Sequence, residues 1–180
     1  MYKVPNNSIK KVAIMGLDNS GKTSIVLCLK GVKNLLSFYS LNPTKGIKID
    51  EFETLGTKFN IWDFGGQEQF RNDYLLNFNE HIKGTDKIIF VIDIQDIERY
   101  DLALDFLKKI LDLLIRIKNK IEFSIFLHKY DPDLELVNKK FNYKKAEKLV
   151  IDIKKVIPSN FLFTIEKSSI YTIFQKSAID

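Results

Sequence analysis

Eight consecutive residues, Gly16-Leu17-Asp18-Asn19-Ser20-Gly21-Lys22-Thr23, match the pattern G-x-x-x-x-G-K-[ST]. The two glycines allow a tight curl in which successive backbone N–H groups point at one phosphate. A helix beginning near Lys22 adds the positive end of its dipole, the Lys22 ammonium reaches the β- and γ-phosphates, and the Thr23 hydroxyl can ligate Mg²⁺. The sequence therefore predicts a phosphate-binding loop. Its predicted contact residues are Gly16, Asp18, Asn19, Ser20, Gly21, Lys22, Thr23 and Ser24.

Two later segments contain residue types that could respond to a γ-phosphate. In Trp62-Asp63-Phe64-Gly65-Gly66-Gln67, Asp63 is placed to hold Mg²⁺ through water, and Gly66 can donate its N–H to the phosphate. Gln67 is then placed to orient the attacking water. Thr44, in a long loop, could close on Mg²⁺ and open after hydrolysis. The predicted metal ligands are Thr23, Thr44 and Asp63, and the predicted catalytic residues are Lys22, Thr44, Gly66 and Gln67.

His128-Lys129-Tyr130-Asp131 has the chemistry of a guanine pocket. The Asp131 carboxylate can accept hydrogen bonds from guanine N1–H and N2–H₂, whereas adenine presents an acceptor at N1. The aliphatic stem of Lys129 can cover the base. His128 either contacts the base region or is a hydrogen-bonded histidine at a strand end. Later in the chain, a backbone N–H at Ser169 or Ile170 could reach guanine O6, with the register open by one residue.

Apolar runs alternate with segments of helical period along the chain, which predicts an α/β sheet covered on both faces. Apart from the loop that carries Thr44, every motif above follows a predicted strand, and ligands of such sheets bind at the carboxyl ends of strands. Strands are predicted at residues 9–15, 47–54, 58–63, 87–93, 122–128 and 160–164, with a hairpin between the second and third. Helices are predicted at residues 22–30, 97–118, 143–156 and 170–178, and a loop at residues 37–46.

Composition narrows the class of protein further. The 180 residues fit one domain, and the single cysteine excludes a disulfide framework within the chain, which favours a reducing cytoplasm. No apolar run reaches the roughly 18 residues needed to cross a bilayer, and no lipidation motif is found. The net charge of +5 comes from scattered lysines and does not indicate nucleic-acid binding. Any membrane contact is expected to be indirect or electrostatic.

The motifs of this chain, in this order, together resemble the Ras superfamily of small GTPases over nearly the whole chain. They lie at residues 16–23, 42–46, 62–67, 128–131 and 167–171. The phosphate loop, Pro43-Thr44-Lys45-Gly46 and Trp62-Asp63 are similar to the Arf and Arf-like branch. His128 in place of the usual asparagine, and Ser168-Ser169-Ile170-Tyr171, are similar to the Rag (Gtr) branch. The resemblance implies a single G domain over residues 1–180. It also implies the P-loop NTPase three-layer α/β sandwich, with a six-stranded, mostly parallel sheet, one antiparallel hairpin strand and about five helices.

The resemblance further implies a Mg²⁺-dependent switch that binds GTP and GDP and hydrolyses GTP. Its partners would be a GTPase-activating protein, an exchange factor and effectors, and its location the cytoplasm or, through partners, a membrane surface. A homodimer or a heterodimer stays open. Asp18 would repel a γ-phosphate unless it is paired or points away. Since residues 37–46 contain no arginine, slow intrinsic hydrolysis and an arginine supplied by a partner are expected.

Two other functions stay open. The chain could hold a guanine nucleotide as a structural subunit with negligible hydrolysis. Thr44 and Gln67 argue against this alternative, whereas the His128 departure and the absent switch arginine keep it open. The chain could also be a P-loop ATPase or nucleotide kinase, which Asp131 disfavours.

Overall fold

Strands and helices alternate along the chain in the computed structural model, which describes residues 9–54, 56–117 and 121–170. The strands are β1 (Ile9–Gly16), β2 (Ile47–Thr54), β3 (Thr57–Phe64), β4 (Lys87–Asp93), β5 (Glu122–His128) and β6 (Thr164–Lys167). They form one sheet in the order β2-β3-β1-β4-β5-β6. All neighbours are parallel except β2 and β3, which pair antiparallel with Thr54 opposite Thr57. The predicted mostly parallel, six-stranded sheet with one antiparallel hairpin strand is therefore confirmed.

Seven α-helices lie within the described residues, against about five predicted. They are α1 (Lys22–Leu29), α2 (Leu35–Tyr39), α3 (Glu68–Leu76), α4 (Phe78–Ile82), α5 (Tyr100–Ile117), α6 (Leu134–Val137) and α7 (Tyr143–Val156). A 3₁₀ turn (Ile97–Arg99) leads directly into α5, so the helix predicted from residue 97 begins with a tighter turn. The predicted helix at residues 170–178 lies outside the described residues, apart from Ile170.

The additional helices are short or weakly amphipathic, which explains why their periodicity was not visible. Helix α2 occupies part of the predicted loop at residues 37–46, and the Asn34 side chain caps it by accepting from the Leu36 N–H at 3.0 Å. Helix α3 buries Arg71 and Tyr74 instead of an aliphatic stripe. Helices α4 and α6 have five and four residues. Helices α2, α4 and α6 are too short for a helical period to be recognisable, and α3, with nine residues, lacks the apolar stripe that would show one.

The last strand was predicted at the wrong position. The apolar run at residues 160–164 predicted a strand, but β6 begins at Thr164 and continues to Lys167. Phe161 instead closes a turn, its N–H donating to the Pro158 carbonyl at 2.9 Å, and its ring meets Phe123 edge-on with centroids 5.5 Å apart. Packing against the start of β5 thus uses a side chain that its apolar type suggested was a strand residue.

Alternating side chains of the central strands divide the core into two layers. In β1, Ala13 and Met15 face the layer under α3, α5 and α7, while Val12 and Ile14 face α1. Both faces of the sheet are therefore covered, as a parallel sheet requires, and the strand ends at one edge are left to carry functional groups. Among the described residues no helix is long and apolar enough to cross a membrane.

Lys11 connects β1 to two other elements. Its ammonium nitrogen lies 3.8 Å from the centroid of the Trp62 ring in β3 and donates to the carbonyls of His81 (2.6 Å) and Lys83 (2.9 Å). Burial lowers the pKa of this amine. A cation over an indole face is attracted by the ring quadrupole, so this contact ties the β2–β3 hairpin to β1 and to the end of α4.

Candidate nucleotide-binding site

The loop between β1 and α1 has the backbone of a phosphate cradle. Gly16 and Gly21 have φ values of 145° and 90°, and Asn19 has a φ of 59°. A Cβ atom on Gly16 would lie 2.3 Å from the Val91 carbonyl oxygen, so only glycine fits there. Such left-handed residues curl a chain so that consecutive N–H groups converge on one point. The glycines of the sequence pattern are thus required by the geometry of the loop.

Lys22 begins α1 and folds back over this loop. Its ammonium donates to the Leu17 carbonyl at 2.6 Å and lies 3.4 Å from the Ser20 hydroxyl, and the side chain is almost completely buried. Burial lowers its pKa to about 8, against the opposing effect of the Asp63 and Asp18 carboxylates. A buried ammonium of this kind is a strong attractor for a phosphate.

The three predicted metal ligands meet at one point, although they come from three segments of the chain. The Thr23 hydroxyl donates to Asp63 Oδ2 at 2.6 Å, the Thr44 hydroxyl donates to the same atom at 3.1 Å, and the two hydroxyls lie 3.1 Å apart. Burial raises the pKa of Asp63, and its Oδ1 is buried with no hydrogen-bond partner among the described residues. Hydroxyl and carboxylate oxygens are ligands that Mg²⁺ prefers, so this set fits that ion.

Two consecutive glycines after β3 pack between the loops. A Cβ atom on Gly66 would lie 2.1 Å from the Asp18 backbone nitrogen and 2.3 Å from the Leu17 carbonyl carbon. Gly65 donates its N–H to the Gly46 carbonyl at 2.7 Å, and a Cβ there would lie 2.5 Å from the Thr44 carbonyl oxygen. The predicted sensor of the γ-phosphate therefore touches the phosphate loop and the segment that carries Thr44.

A cavity of about 390 Å³ opens between these three segments. Gln67, partly buried, lies in its wall beside Gly66. The lining residues are Asp18, Asn19, Gly21, Lys22, Thr23, Ser24, Phe38, Leu41, Asn42, Pro43, Thr44, Gly66 and Gln67. We call this region the phosphate half of the site. We include Asp63, which accepts hydrogen bonds from Thr23 and Thr44, so that the phosphate half contains all the predicted catalytic residues and all the predicted metal ligands.

His128, at the end of β5, lies directly against the phosphate loop. Its Nδ1 is 2.9 Å from the Ser168 hydroxyl, and a Cβ on Gly21 would lie 2.4 Å from His128 Cδ2. Burial is the largest influence on its pKa, which is lowered, and the Lys129 ammonium acts in the same direction. The imidazole is therefore neutral near pH 7 and joins the loop after β6 to the phosphate loop.

Lys129 and Asp131 lie next to His128. We call these three residues, together with Ser169 and Ile170, the base half of the site. Lys129 has a φ of 59°, and its ammonium donates to Asp93 Oδ2 at 2.6 Å and to the Asn19 carbonyl at 2.8 Å. The Asp131 carboxylate accepts from the Ser169 hydroxyl on Oδ1 and from the Gln95 amide on Oδ2 at 3.1 Å. The loops after β5 and β6 are also joined by a bond from the Tyr130 N–H to the Ser168 carbonyl at 3.0 Å.

The family model of the ADP-ribosylation factor family matches residues 2–171. The chain belongs to this family of small GTPases. Among curated proteins it is similar to ADP-ribosylation factor-like protein 3 of Caenorhabditis elegans, with 36% identity over 101 residues, which are 56% of this chain and 50% of the relative. It is also similar to the ADP-ribosylation factor-like protein alp41 of Schizosaccharomyces pombe, with 34% identity over 117 residues, 65% of this chain and 56% of the relative.

ADP-ribosylation factor-like protein 2 of Dictyostelium discoideum is 35% identical over 126 residues, 68% of this chain and 61% of the relative. The chain thus spans between half and about three fifths of the length of these relatives. A solved structure, the Arl6 BBS3 small GTPase from Trypanosoma brucei with the nucleotide analogue GppNp, aligns with a TM-score of 0.61 at 22% identity. The alignment covers 90% of this chain and 87% of that one, and it shows the same fold.

Membership of the ADP-ribosylation factor family agrees with the Arf-like phosphate loop and switch motifs. The Rag-like character of His128 and of the motif at residues 168–171 stays a prediction. In the structure His128 Nδ1 lies 2.9 Å from the Ser168 hydroxyl and its ring lies against Gly21, and both roles that the sequence left open for this histidine stay predictions.

The predicted site is also contacted by three residues that the sequence did not indicate. Gln95 donates to Asp131 and to the Lys129 carbonyl (2.9 Å), Arg99 pairs with Asp18, and Arg71 donates to the Gly66 carbonyl (2.6 Å). Gln95 and Arg99 follow the carboxyl end of β4, a position where ligand-site residues of such sheets concentrate. That placement was the available signal, but no sequence pattern names their partners.

Proposed function

We propose that the chain is a Mg²⁺-dependent guanine-nucleotide switch, a single G domain over residues 1–180, which binds GTP and hydrolyses its γ-phosphate slowly. The observation that carries this proposal is the convergence of Thr23, Thr44 and Asp63. These residues come from the phosphate loop, the loop at residues 37–46 and the end of β3, yet their oxygens lie within 2.6 to 3.1 Å of one another. A set assembled from separate segments can open when one segment moves, which is the requirement for a switch.

Each part of the phosphate half has a separate task under this proposal. Backbone N–H groups of the phosphate loop and the buried Lys22 ammonium hold the β- and γ-phosphates. The Thr23, Thr44 and Asp63 oxygens would hold Mg²⁺, which would supply positive charge against the phosphates. The N–H of Gly66, whose carbonyl is held by Arg71, donates to the γ-phosphate. Gln67 orients the water that attacks phosphorus.

Loss of the γ-phosphate removes the group that Thr44 and Gly66 would contact. Thr44 is partly buried and its carbonyl lies against Gly65. The segments that carry these two residues would therefore move away from the phosphate loop as one unit. A partner protein could then distinguish the two nucleotide states by the shape of residues 37–46 and 65–74. The partners are therefore an activating protein, an exchange factor and effectors. We place the protein in the cytoplasm, with any membrane contact made through such partners.

In the base half, Asp131 would bind guanine by accepting from N1–H and N2–H₂. Lys129 would lay its stem along the base, and a backbone N–H at Ser169 or Ile170 would donate to O6. The hydrogen bonds that Asp131 accepts from Gln95 and Ser169 hold its carboxylate in place. Guanine selectivity follows because an adenine N1 acceptor would face a carboxylate and leave it unpaired.

The decisive experiment compares Gln67→Leu with Gln69→Leu in single-turnover GTP hydrolysis. Gln69 is an exposed residue of α3, two positions further along, and serves as the matched control. We expect Gln67→Leu to hydrolyse GTP at least about tenfold more slowly, with GTP affinity unchanged within about twofold, since only the transition-state contact is lost. Gln69→Leu is expected to behave as wild type.

Equal rates in the three proteins would contradict the catalytic role of Gln67. If wild-type protein retained stoichiometric GTP through a long incubation, the chain would be a nucleotide-holding structural subunit instead. If ATP displaced bound nucleotide as well as GTP does, the guanine switch itself would be wrong. Chromatography of the nucleotide released from heat-denatured protein answers the last two questions.

A further inference from the structure

Arg99 is the last residue of the 3₁₀ turn after β4 and belongs to none of the sequence motifs. Its Nη1 donates to Asp18 Oδ1 at 2.9 Å and its Nη2 to the Asp18 carbonyl at 3.2 Å. Its Nε donates to Asp96 Oδ2 at 2.5 Å. One guanidinium therefore holds both the charged side chain and the backbone of a residue in the middle of the phosphate loop, and a carboxylate of its own turn fixes its orientation.

We propose that Arg99 sets the preference of the site for GTP over GDP, by neutralising Asp18 and holding it away from the γ-phosphate. The inference rests on the proposed function and adds a residue that determines nucleotide-state specificity. Arg99 acts on the phosphate through Asp18 and is therefore a positioning residue.

Asp18 lies on the side of the phosphate loop that faces Gly66, where the γ-phosphate would bind under the proposed function. Its backbone nitrogen is only 2.1 Å from the place of a Cβ on Gly66, the residue that would donate to the γ-phosphate. Its carboxylate is also close enough to Lys22 to oppose the lowering of that amine's pKa. An unpaired carboxylate here would repel the γ-phosphate of GTP, whereas GDP has no charge at that position. Pairing with Arg99 removes this repulsion, so it favours the binding of GTP and leaves the binding of GDP unchanged.

A purely structural role for the ion pair predicts a different result. The side chains of Arg99 and Asp18 are 31% and 41% exposed, and partly exposed ion pairs contribute little to stability. If the pair only braced the loop, its loss would weaken both nucleotides to the same small extent. The ratio of the affinities for GTP and GDP therefore distinguishes a specificity role from a purely structural one, whereas the affinity for one nucleotide alone does not.

The experiment measures dissociation constants for fluorescent GDP and for a non-hydrolysable GTP analogue, both with Mg²⁺. The proteins are wild type, Arg99→Ala, Asp18→Asn and the double variant. We expect Arg99→Ala to weaken the GTP analogue by about tenfold and GDP by less than about twofold, because the repulsion acts through a partly solvated site. The double variant should recover the wild-type ratio, since it has no carboxylate left to neutralise.

Lys140→Ala is the matched control. It breaks the exposed Lys140–Glu98 pair (2.8 Å), which involves the neighbouring residue of the same 3₁₀ turn but lies away from the phosphate loop. This variant is expected to bind both nucleotides as wild type does. Thermal unfolding of each variant shows whether the fold has been retained.

Equal weakening of both nucleotides in Arg99→Ala, or a double variant that does not recover the ratio, would overturn the inference while leaving the proposed function intact. A wild-type chain that binds neither nucleotide would overturn both. If Arg99→Ala does not fold, Asp18→Asn alone decides. It should raise the preference for the GTP analogue by about threefold, because Arg99 keeps its charge beside the loop, and a lowered preference would contradict the role given to Asp18.

Discussion

The phosphate half and the base half of the candidate site hold their polar groups in different ways. In the phosphate half, the Asp63 carboxylate, the Thr23 hydroxyl and the Thr44 hydroxyl gather beside a cavity of about 390 Å³. In the base half, Asp131 is bonded to Gln95 and Ser169, and Lys129 to Asp93 and Asn19. The first half borders an open cavity, whereas the Asp131 and Lys129 side chains of the second are hydrogen-bonded to groups from other loops.

Because of this difference, substitutions in the two halves should affect nucleotide binding differently. A change in the phosphate half should alter which nucleotide state is bound, because its segments meet through contacts that a γ-phosphate would complete. A change in the base half should alter how tightly any guanine nucleotide is held, because its bracing is independent of the phosphates.

The largest effect is expected at the centre of the base half. Asp131→Ala should lower affinity for GDP and for a GTP analogue alike, by about 10³-fold, because two charge-assisted hydrogen bonds to the base are lost. Discrimination against ATP should disappear at the same time. Competition against fluorescent GDP measures both effects. Asp133→Ala, an exposed carboxylate two residues away, is the control and should bind as wild type. An effect confined to GTP would break the proposed division.

The next largest effect is expected where the phosphate loop meets Gly66. Gly66→Ala places a methyl group 2.1 Å from the Asp18 backbone nitrogen, so the segment after β3 must move outward. Affinity for a GTP analogue should fall by about 100-fold while GDP affinity changes by less than about threefold, since only the γ-phosphate contact is removed. The control is Gly31→Ala, where a Cβ would touch nothing but the φ of 77° strains an alanine, so it tests for a general loss of stability and should not change the ratio of the two affinities. Equal losses for both nucleotides would show that Gly66 supports the whole loop.

A smaller, state-independent effect is expected from Gln95. Gln95→Ala removes the bonds to Asp131 and to the carbonyl of Lys129, whose left-handed backbone they help to hold. Release of GDP and of a GTP analogue should both accelerate by about tenfold, the equivalent of one to two ordinary hydrogen bonds. Stopped-flow release of fluorescent nucleotides measures this. An altered ratio between the two nucleotides would place Gln95 functionally with Arg99.

The smallest effect concerns protons. Burial lowers the pKa of Lys22 to about 8 in the nucleotide-free chain, and a bound phosphate favours the charged amine. Binding above pH 8 must then take up a proton, so GDP affinity should fall by about threefold between pH 7.5 and 8.5. Calorimetric titrations in two buffers of different ionisation heat measure the proton uptake. No uptake at pH 8.5 would mean that Lys22 is charged before the ligand arrives.

The same burial has a consequence for the stability of the nucleotide-free chain. The folded pKa of Lys22 lies below the usual value of 10.5, so between about pH 8 and 10.5 the unfolded chain binds the extra proton. The contribution of this residue to stability therefore increases as pH rises through that window and is absent below it. A bound nucleotide should reverse this dependence, because it restores the charged amine.

Much of the framework could be predicted because its signals are local. The five strands other than β6 lie in apolar or alternating runs, and the glycines at positions 16 and 21 have positive φ values as a phosphate loop requires. The short helices α2, α4 and α6 could not be predicted from periods they are too short to show. The apolar residues before β6 could not be assigned from their type, because core packing and strand pairing favour the same side chains.

Contacts in the candidate site divide in the same way. The residue types of Thr23, Thr44 and Asp63 carried chemical meaning, so their convergence was predictable although their roles remain predictions. The partners Arg99 and Asp18 are 81 positions apart, and Gln95 and Asp131 are 36 apart. Nothing in the residue types of Arg99 and Gln95 distinguishes them from solvated surface residues. The sequence could show that Asp18 needed a partner but not that the partner lies after β4.

The Lys11–Trp62 contact makes Trp62 an intrinsic fluorescence probe of the β2–β3 hairpin. Trp62 is its single tryptophan, lies beside Asp63 in β3, and has the Lys11 ammonium 3.8 Å from its ring. Indole emission is sensitive to a nearby cation and to exposure to water. Any sliding of the hairpin relative to β1 would change both, so the intrinsic fluorescence of unlabelled protein can follow movement of β3 in real time.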